Sequence, residues 1–386
     1  MRTTSRSKAA FVPRCGEVGS PKRGNLVLET NEKRRRYFAY GSNLNSEDWK
    51  QWCSANSFDP TAITASEPAT LPDHALVFDY YSRGRGGGAL NVQPLLGGTV
   101  EGMLFEVTLD GWSALDRKEG APNYYERVRS AVLTSGGREE MATTYVANAR
   151  RTGAFVPPTA EYLDICRHGY LAYELDTAHL ERAASDAAPE ALGCLFAYGT
   201  LMRGEQRFHL LRAAAPSCIL VAHTFGRLLN MGAYPGLEMG ASEGLVRGEF
   251  MRVPDMPALL EKLDLVEGFA GFGAEGGLYK RRLVEADLGQ GRARRAWTYV
   301  VEGATAPVIQ SGCWRAANQR WDVFAASVVQ AHASGNPGFY QRLETARSPF
   351  SRVNAMSEAR AAEGLADGSV SERRMAQVSG AWAVAP

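Results

Sequence analysis

An internal repeat constrains the fold of this chain more than any other feature of its sequence. Four short landmarks occur twice, in the same order, in the two halves of the chain. The first is FAYG, at 38–41 and 196–199, and the second is a glycine-centred strand, at 100–107 and 246–253. The third is LDxxEG, at 115–120 and 263–268. The fourth is YxR followed by TYV, at 125–127 and 144–146 in the first half and at 279–281 and 298–300 in the second. Each landmark alone carries little information, but four in register predict two copies of one fold.

The repeat also predicts how the chain is divided. We predict a first domain over residues 36–184 and a second over 192–345, joined by a linker at 185–191 that is rich in Ala, Ser, Asp and Pro. Residues 1–35 are basic and lack periodic apolar positions, so they predict a disordered leader, with an organellar transit peptide as the alternative. Residues 346–386 are predicted to form a C-terminal tail.

The pattern within each copy predicts the fold class. It indicates a strand, a glycine turn, a helix, several strands, a short helix and further strands. Alternating segments such as 75–80 and 89–92 are typical of half-buried strands. Apolar positions between 162 and 180 predict helix at the end of the first copy, and residues 322–333 predict a helix after the second. We therefore expect an α+β protein with two small mixed β-barrels, each flanked by helices.

Composition argues against several classes of function. The 386 residues include 43 Lys and Arg against 42 Asp and Glu, so the net charge of +1 gives no bias toward nucleic acid or an acidic membrane. No apolar run approaches the roughly 18 residues of a membrane-spanning helix. The six cysteines and six histidines are scattered, without CxxC or HExxH spacing, which predicts neither a disulfide framework nor a metal site. The expected location is the cytoplasm.

The glycine turn that follows each FAYG strand is a possible anion site. In the first copy this turn covers residues 40–44, and Asn45 or Ser46 is expected to cap the helix that follows. Consecutive backbone N–H groups in such a turn can hold a carboxylate or an oxyanion, and glycine lets the ligand approach the backbone. One such turn is usually an ordinary connection. Its pairing with LDxxEG in both copies favours the anion site.

The LDxxEG landmark places Glu119 and Glu267 in the last turn of a short helix that a glycine caps. The helix dipole disfavours a negative charge there, and burial would raise the carboxyl pKa further. A carboxyl group held in this way can shuttle a proton, whereas the alternative is a solvated glutamate at a helix end. Charged neighbours of Glu119 allow that alternative, while Leu265 and Val266 favour burial of Glu267.

Familiar catalytic and cofactor motifs are missing from the sequence. It contains no GxSxG elbow, no P-loop and no GxGxxG that opens a helix, so no cofactor is predicted. A reaction that uses one carboxylate and backbone donors requires a substrate that supplies its own nucleophile. Intramolecular attack on an amide fits this requirement, because the substrate already provides proximity.

Together these motifs resemble the γ-glutamylcyclotransferase superfamily, including its AIG2-like branch. The first copy, with FAYGSNL at 38–44 and a glycine triplet at 86–88, is similar to the γ-glutamylcyclotransferase and butirosin-pathway branch. The second, with YGTLMRG at 198–204 and GAYPG at 232–236, is similar to the γ-glutamylamine cyclotransferase branch. The resemblance implies small barrels with flanking helices and a lyase or acyltransferase that forms 5-oxoproline from a γ-glutamyl amide.

The resemblance also implies roles for particular residues. Glu119 and Glu267 would take a proton from the α-amine as it attacks the γ-carbonyl group, and would pass it to the departing amine. The implied substrate-binding residues are Tyr40, Gly41, Ser42, Asn43, Leu44 and Tyr125 in the first copy, and Tyr198, Gly199, Thr200, Leu201 and Tyr279 in the second. The implied partner is a small γ-glutamyl amine or peptide, with no cofactor, nucleic acid or membrane.

Two other hypotheses remain open at this point. One copy could be catalytic while the other is a non-catalytic binding module. Alternatively, neither copy is an enzyme and the two turns bind small acids as a sensor. The sequence leaves open the leaving amine, the oligomeric state and which of the adjacent residues Tyr124 and Tyr125 faces the site.

Overall fold

The fold was analysed in a computed structural model that describes residues 35–240 and 244–317. The predicted tail and the predicted helix at 322–333 lie outside the described residues, as does the predicted leader up to residue 34. The first strand begins at Arg35, one residue before the predicted start of the first domain.

Each half of the described chain forms a closed five-stranded barrel. In the first barrel the strand order is β1-β3-β2-β4-β5, with β1 and β5 parallel and the other neighbours antiparallel. Its strands are β1 (Arg35–Ala39), β2 (Ile63–Ser82), β3 (Gly87–Val107), β4 (Tyr125–Thr134) and β5 (Glu139–Ala147). These strands bury one continuous apolar core.

The second barrel repeats this arrangement in the order β6-β10-β7-β11-β12, with β6 and β12 parallel. Here the long β2–β3 hairpin of the first copy is divided, because β8 and β9 form a separate two-stranded sheet. The strands are β6 (Cys194–Ala197), β7 (Cys218–Phe225), β8 (Arg227–Asn230), β9 (Pro235–Glu238), β10 (Leu245–Arg252), β11 (Lys280–Asp287) and β12 (Ala293–Val300). The predicted α+β fold with two tandem mixed barrels is confirmed.

Helices flank both barrels. They are α1 (Ser46–Asn56), α2 (Leu109–Glu119), α3 (Ala160–Ala172), α4 (Ala178–Ala184), α5 (Phe208–Ala213), α6 (Met256–Glu267) and α7 (Trp314–Ala317). Asn45 caps α1, because its side chain accepts hydrogen bonds from two N–H groups of the first turn. Helices α2 and α6 end at Gly120 and Gly268, whose φ angles are 63° and 65°. Both LDxxEG landmarks therefore form a last helical turn with a left-handed glycine cap, as predicted.

The third and fourth landmarks hold each other in place. In the first copy, Asp116 of LDxxEG accepts a 2.8 Å hydrogen bond from the hydroxyl of Tyr145 and pairs with Arg127 at 2.6 Å. In the second copy, Asp264 accepts a 2.7 Å bond from Tyr299 and pairs with an arginine of the fourth landmark at 3.1 Å. These contacts fix the glutamate-bearing helix against its barrel.

The glycine of the second landmark is required by close packing. A Cβ atom on Gly102 would lie 2.2 Å from the carbonyl oxygen of Ala39 and 2.7 Å from the ring of Phe38. The matching atom on Gly248 would lie 2.4 Å from a carbonyl oxygen of β6. Each glycine thus lets the first strand of its barrel approach the neighbouring strand.

We expect Gly102→Ala to destabilise the protein by about 1–3 kcal/mol, because the added methyl group would meet backbone that cannot move cheaply. The free energy of unfolding in urea measures this change. Gly153→Ala is the matched control, since a Cβ atom there would meet nothing within 4 Å. Equal stability of the two variants would contradict the packing role of Gly102.

The two copies also contact each other directly. The indole N–H of Trp297 donates to the carbonyl oxygen of Gly97 at 3.1 Å. Two adjacent and fully buried arginines of β11, Arg281 and Arg282, pair with Asp73 and Glu139 of the first copy. The first copy therefore supplies part of the charge balance inside the second.

Candidate functional site

The glycine turn of the first copy leaves the barrel directly after β1. The hydroxyl of Tyr40 donates to the carbonyl oxygen of Tyr145 at 2.6 Å, and the N–H of Leu44 donates to the carbonyl oxygen of Gly41 at 3.0 Å. Leu44 is fully buried. Tyr40 and Leu44 therefore anchor the turn, while its first N–H groups, at the start of a single helical turn, lack intrahelical partners.

Asn43 links this turn to the predicted catalytic glutamate. Its side-chain amide donates to Glu119 Oε1 at 2.7 Å and to the hydroxyl of Tyr37 at 2.8 Å. The sequence assigned only the backbone of Asn43 to the site, so this side-chain contact was missed. The second copy has Leu201 at the same position of its turn, so the repeat gave no signal for it.

The environment of Glu119 shifts its protonation. Burial raises the pKa of this carboxyl group, and the nearby ammonium of Lys118, the amide of Asn43 and the guanidinium of Arg85 oppose the shift. Lys118 and Arg85 are themselves paired with Asp48, at 2.7 Å and 3.0 Å. Glu119 thus keeps its proton to a higher pH than an exposed glutamate does.

Tyr125, rather than Tyr124, is the buried member of its pair. Its hydroxyl donates to the carbonyl oxygen of Leu90 at 2.9 Å and its ring packs edge-on against Tyr80. Tyr124 is 44% exposed and lies under the guanidinium of Arg151. Both tyrosines line the same cavity, so Tyr125 forms its inner wall and Tyr124 its rim.

Beside Glu119 lies an open cavity of about 690 Å³. Of the predicted residues of the first copy, Ser42, Glu119 and Tyr125 line it, whereas Tyr40, Gly41, Asn43 and Leu44 do not. A cavity of this size is within the range of about 300–1,000 Å³ that is usual for small-molecule sites. The first copy therefore has room for a substrate next to its glutamate.

The second copy reproduces the same scaffold. Met202 N–H donates to the carbonyl oxygen of Gly199 at 2.9 Å, and the hydroxyl of Tyr198 donates to the carbonyl oxygen of Tyr299 at 2.6 Å. The hydroxyl of Tyr279 donates to the carbonyl oxygen of Pro235 at 2.6 Å, as Tyr125 does to Leu90 in the first copy. All predicted residues of this copy line one cavity, namely Tyr198, Gly199, Thr200, Leu201, Glu267 and Tyr279.

This second cavity is much smaller than the first. Its volume is about 30 Å³, enough for one or two water molecules. Glu267 is 5% exposed, and Nη1 of Arg207 lies 3.2 Å from its Oε1 atom. Burial raises the pKa of Glu267, whereas Arg207 lowers it. Arg207 lies outside all four landmarks, so sequence reasoning did not identify it.

No group of three or more His, Cys, Asp or Glu residues is placed to bind a metal ion within residues 35–240 and 244–317. Across the same residues, every helix is too short or too polar to cross a membrane.

One protein family matches both copies of the repeat. The family model described as gamma-glutamyl cyclotransferase, AIG2-like, matches residues 37–164 and 195–316, which is more than half of the chain. The chain belongs to this family. The two separate matches show that it carries two tandem AIG2-like copies, as the repeated landmarks predicted.

Solved structures show a weaker likeness. One is described as a gamma-glutamyl cyclotransferase, and another as an uncharacterized protein from Homo sapiens. Each is 24% identical to this chain, with a TM-score of 0.34. Each match covers 41% of this chain and 89% of the other chain. YkqA from Bacillus subtilis is 21% identical, with a TM-score of 0.35, and covers 42% of this chain and 59% of its own. No curated protein matches the chain.

Proposed function

We propose that this chain is a γ-glutamyl amide cyclotransferase that releases 5-oxoproline and a free amine, and that the first copy is its main active site. The observation that carries the proposal is that Ser42 of the glycine turn and Glu119 line one cavity of about 690 Å³, and that Asn43 of the same turn contacts Glu119. The family match supports the same class of reaction. The partner is a small γ-glutamyl amine or peptide, and no cofactor takes part in the steps below.

The reaction follows from the groups around the cavity. The α-amine of the substrate loses a proton to Glu119 as its nitrogen bonds to the γ-carbonyl carbon. The backbone N–H of Ser42, which lines the cavity, stabilises the oxyanion that forms on the carbonyl oxygen. The bond from that carbon to the leaving nitrogen then breaks, and Glu119 returns the proton to this nitrogen. The products are 5-oxoproline, the free amine and an ionised Glu119.

The proposal is tested by incubating the full chain with γ-glutamyl-alanine and γ-glutamyl-lysine and measuring 5-oxoproline and the free amine. We expect the two products in equal amounts. Folded protein that releases neither product from a panel of γ-glutamyl amides would overturn the proposal.

A second candidate function is one catalytic copy combined with one non-catalytic binding module. The contrast between the open first cavity and the second cavity of about 30 Å³ favours it. Single substitutions of the two glutamates distinguish the candidates, because a binding module would keep all turnover when its own glutamate is changed.

The proposed base predicts a specific pH dependence. Glu119 must be ionised to accept a proton, so kcat/KM should fall as the pH drops through its raised pKa. Among the neighbouring groups, Lys118 lowers the pKa of Glu119 the most. We therefore expect Lys118→Met to move the acid limb of the kcat/KM profile to higher pH. Lys50→Met, an exposed change on α1, is the control and should leave the acid limb of the profile in place. An acid limb that moves to lower pH in Lys118→Met would contradict this role for Glu119.

A further inference from the structure

The second cavity is too small for a γ-glutamyl group. It holds about 30 Å³, although its turn, its glutamate and its tyrosines match those of the first copy. The glycine turn lines it together with residues of β6 and β12, Pro235, Tyr279 and Glu267. A γ-glutamyl group therefore fits only if groups around the cavity move.

Arg207 is such a group. It lies in the loop between the glycine turn and α5, and its side chain is 30% exposed while that of Glu267 is 7% exposed. Its N–H donates to the carbonyl oxygen of Thr200 at 2.8 Å, which ties the loop to the turn. Its guanidinium reaches from the solvent side of the loop to the buried carboxylate. Arg207 thus links the solvent-facing loop to the carboxylate of Glu267, which lines the cavity.

The two copies differ in the side chain that faces the glutamate. In the first copy the neutral amide of Asn43 donates to Glu119. Leu201 holds this position in the second copy and has no donor, and Arg207 supplies the contact to Glu267 instead. A guanidinium carries a positive charge that an amide lacks, so its contact with an ionised carboxylate is an ion pair. The resting second site therefore has its base occupied by an ion pair.

We propose that Arg207 gates the second site and is released by the substrate itself, because the α-carboxylate of a γ-glutamyl group replaces Glu267 as its ion-pair partner. The exchange leaves Arg207 paired and frees the carboxylate of Glu267 to accept the proton of the α-amine. No bond is made or broken in this step. The proposal rests on the proposed cyclotransferase function, and it makes the second site selective for substrates that carry an α-carboxylate.

The test compares substrates with and without that carboxylate. A Glu119→Gln background leaves turnover to the second site. γ-Glutamyl-lysine cyclises to 5-oxoproline, whereas the matching 4-aminobutanoyl-lysine lacks the α-carboxylate and cyclises to 2-pyrrolidinone. The measured quantity is the ratio of kcat/KM for the two substrates in the background, in Arg207→Gln and in Arg207→Lys.

We expect Arg207→Gln to lower this ratio by about 10- to 100-fold, because a hydrogen bond to a charged group contributes about 1.5–3 kcal/mol. Arg207→Lys keeps the charge and should restore part of the ratio. Arg212→Gln, an exposed change on α5, is the matched control and should leave the ratio unchanged. A structural role of Arg207 would change both substrates alike and would leave the ratio unaffected.

Two results would overturn the proposal. One is an unchanged ratio in Arg207→Gln, which would mean that Arg207 does not read the α-carboxylate. The other is a Glu119→Gln background that turns over neither substrate while the wild-type chain releases 5-oxoproline, which would mean that the second site does not open. In both cases the wild-type activity still supports the proposed function. A wild-type chain that releases no 5-oxoproline would overturn that function as well.

Discussion

Replacing Glu119 with Gln is expected to lower kcat of the chain on γ-glutamyl amides by about 10²- to 10⁴-fold, the usual contribution of a general acid or base. Gln keeps the size of the side chain and can still contact the amide of Asn43, but it cannot carry a proton between two nitrogens. The measurement is the rate of 5-oxoproline release at saturating substrate. A loss in kcat with little change in KM would indicate a role in the transition state alone.

Glu267→Gln provides the comparison within the same chain. If the first site carries most of the turnover, this variant keeps most of the wild-type rate, since the cavity beside Glu267 is only about 30 Å³. Glu126→Gln is an exposed control on β4 and should behave like the wild type. A Glu119→Gln variant that keeps full activity, with Glu267→Gln inactive, would assign the reaction to the second copy and would contradict the roles proposed for the two cavities.

The repeated landmarks predicted the fold and the approximate position of each site. The strand that ends within the FAYG landmark, the helix end at Glu119 and the glycine cap depend on local sequence patterns, which is why they could be identified from the chain alone. Asp116 of the third landmark contacts Tyr145 and Arg127 of the fourth. The sequence could not show that these landmarks touch, since closing a barrel determines that contact.

There is a physical reason why the sequence could not predict the differences between the two sites. Asn43 and Arg207 both donate to a glutamate, but they occupy different positions relative to the glycine turn. Cavity volume depends on how loops of unequal length cover the barrel mouth, and a repeat reports only what the copies share. The contacts between the copies, such as those of Asp73, join segments far apart in sequence and belong to no landmark.

Arg281 is the most deeply buried charge between the two copies. It is fully buried, and its guanidinium carbon lies 5.1 Å from the centroid of each of three aromatic rings, those of Phe269, Phe272 and Trp297. Its counterpart in the first copy, Arg127, has a side chain that is 38% exposed. Two carboxylates neutralise Arg281, namely Asp264 at 3.1 Å and Asp73 of the first copy. The first copy therefore completes an ion pair that the second copy needs.

Asp73→Asn is expected to destabilise the protein by about 3 kcal/mol, at the lower end of the roughly 3–5 kcal/mol that breaking a buried ion pair costs. The lower end applies because Asp264 still faces Arg281. Asn can keep the 2.7 Å hydrogen bond that Gly97 N–H donates to Asp73, and it tolerates the positive φ of 55° at this position. The substitution thus removes the charge and little else. Unfolding in guanidinium chloride, followed by tryptophan fluorescence, measures the change.

Asp164→Asn is the matched control, because it removes the same charge from an exposed pair with Arg167 and should cost at most about 1 kcal/mol. Asp73→Asn should also reduce turnover at the second site more than at the first. The reason is that Arg281 pairs with Asp264, which lies one turn before Glu267 on α6. Selective loss of second-site turnover in the Glu119→Gln background would show this coupling. If Asp73→Asn were as stable as Asp164→Asn, the two copies would not depend on each other for charge balance, and the shared ion pair would be only a surface contact between otherwise independent barrels.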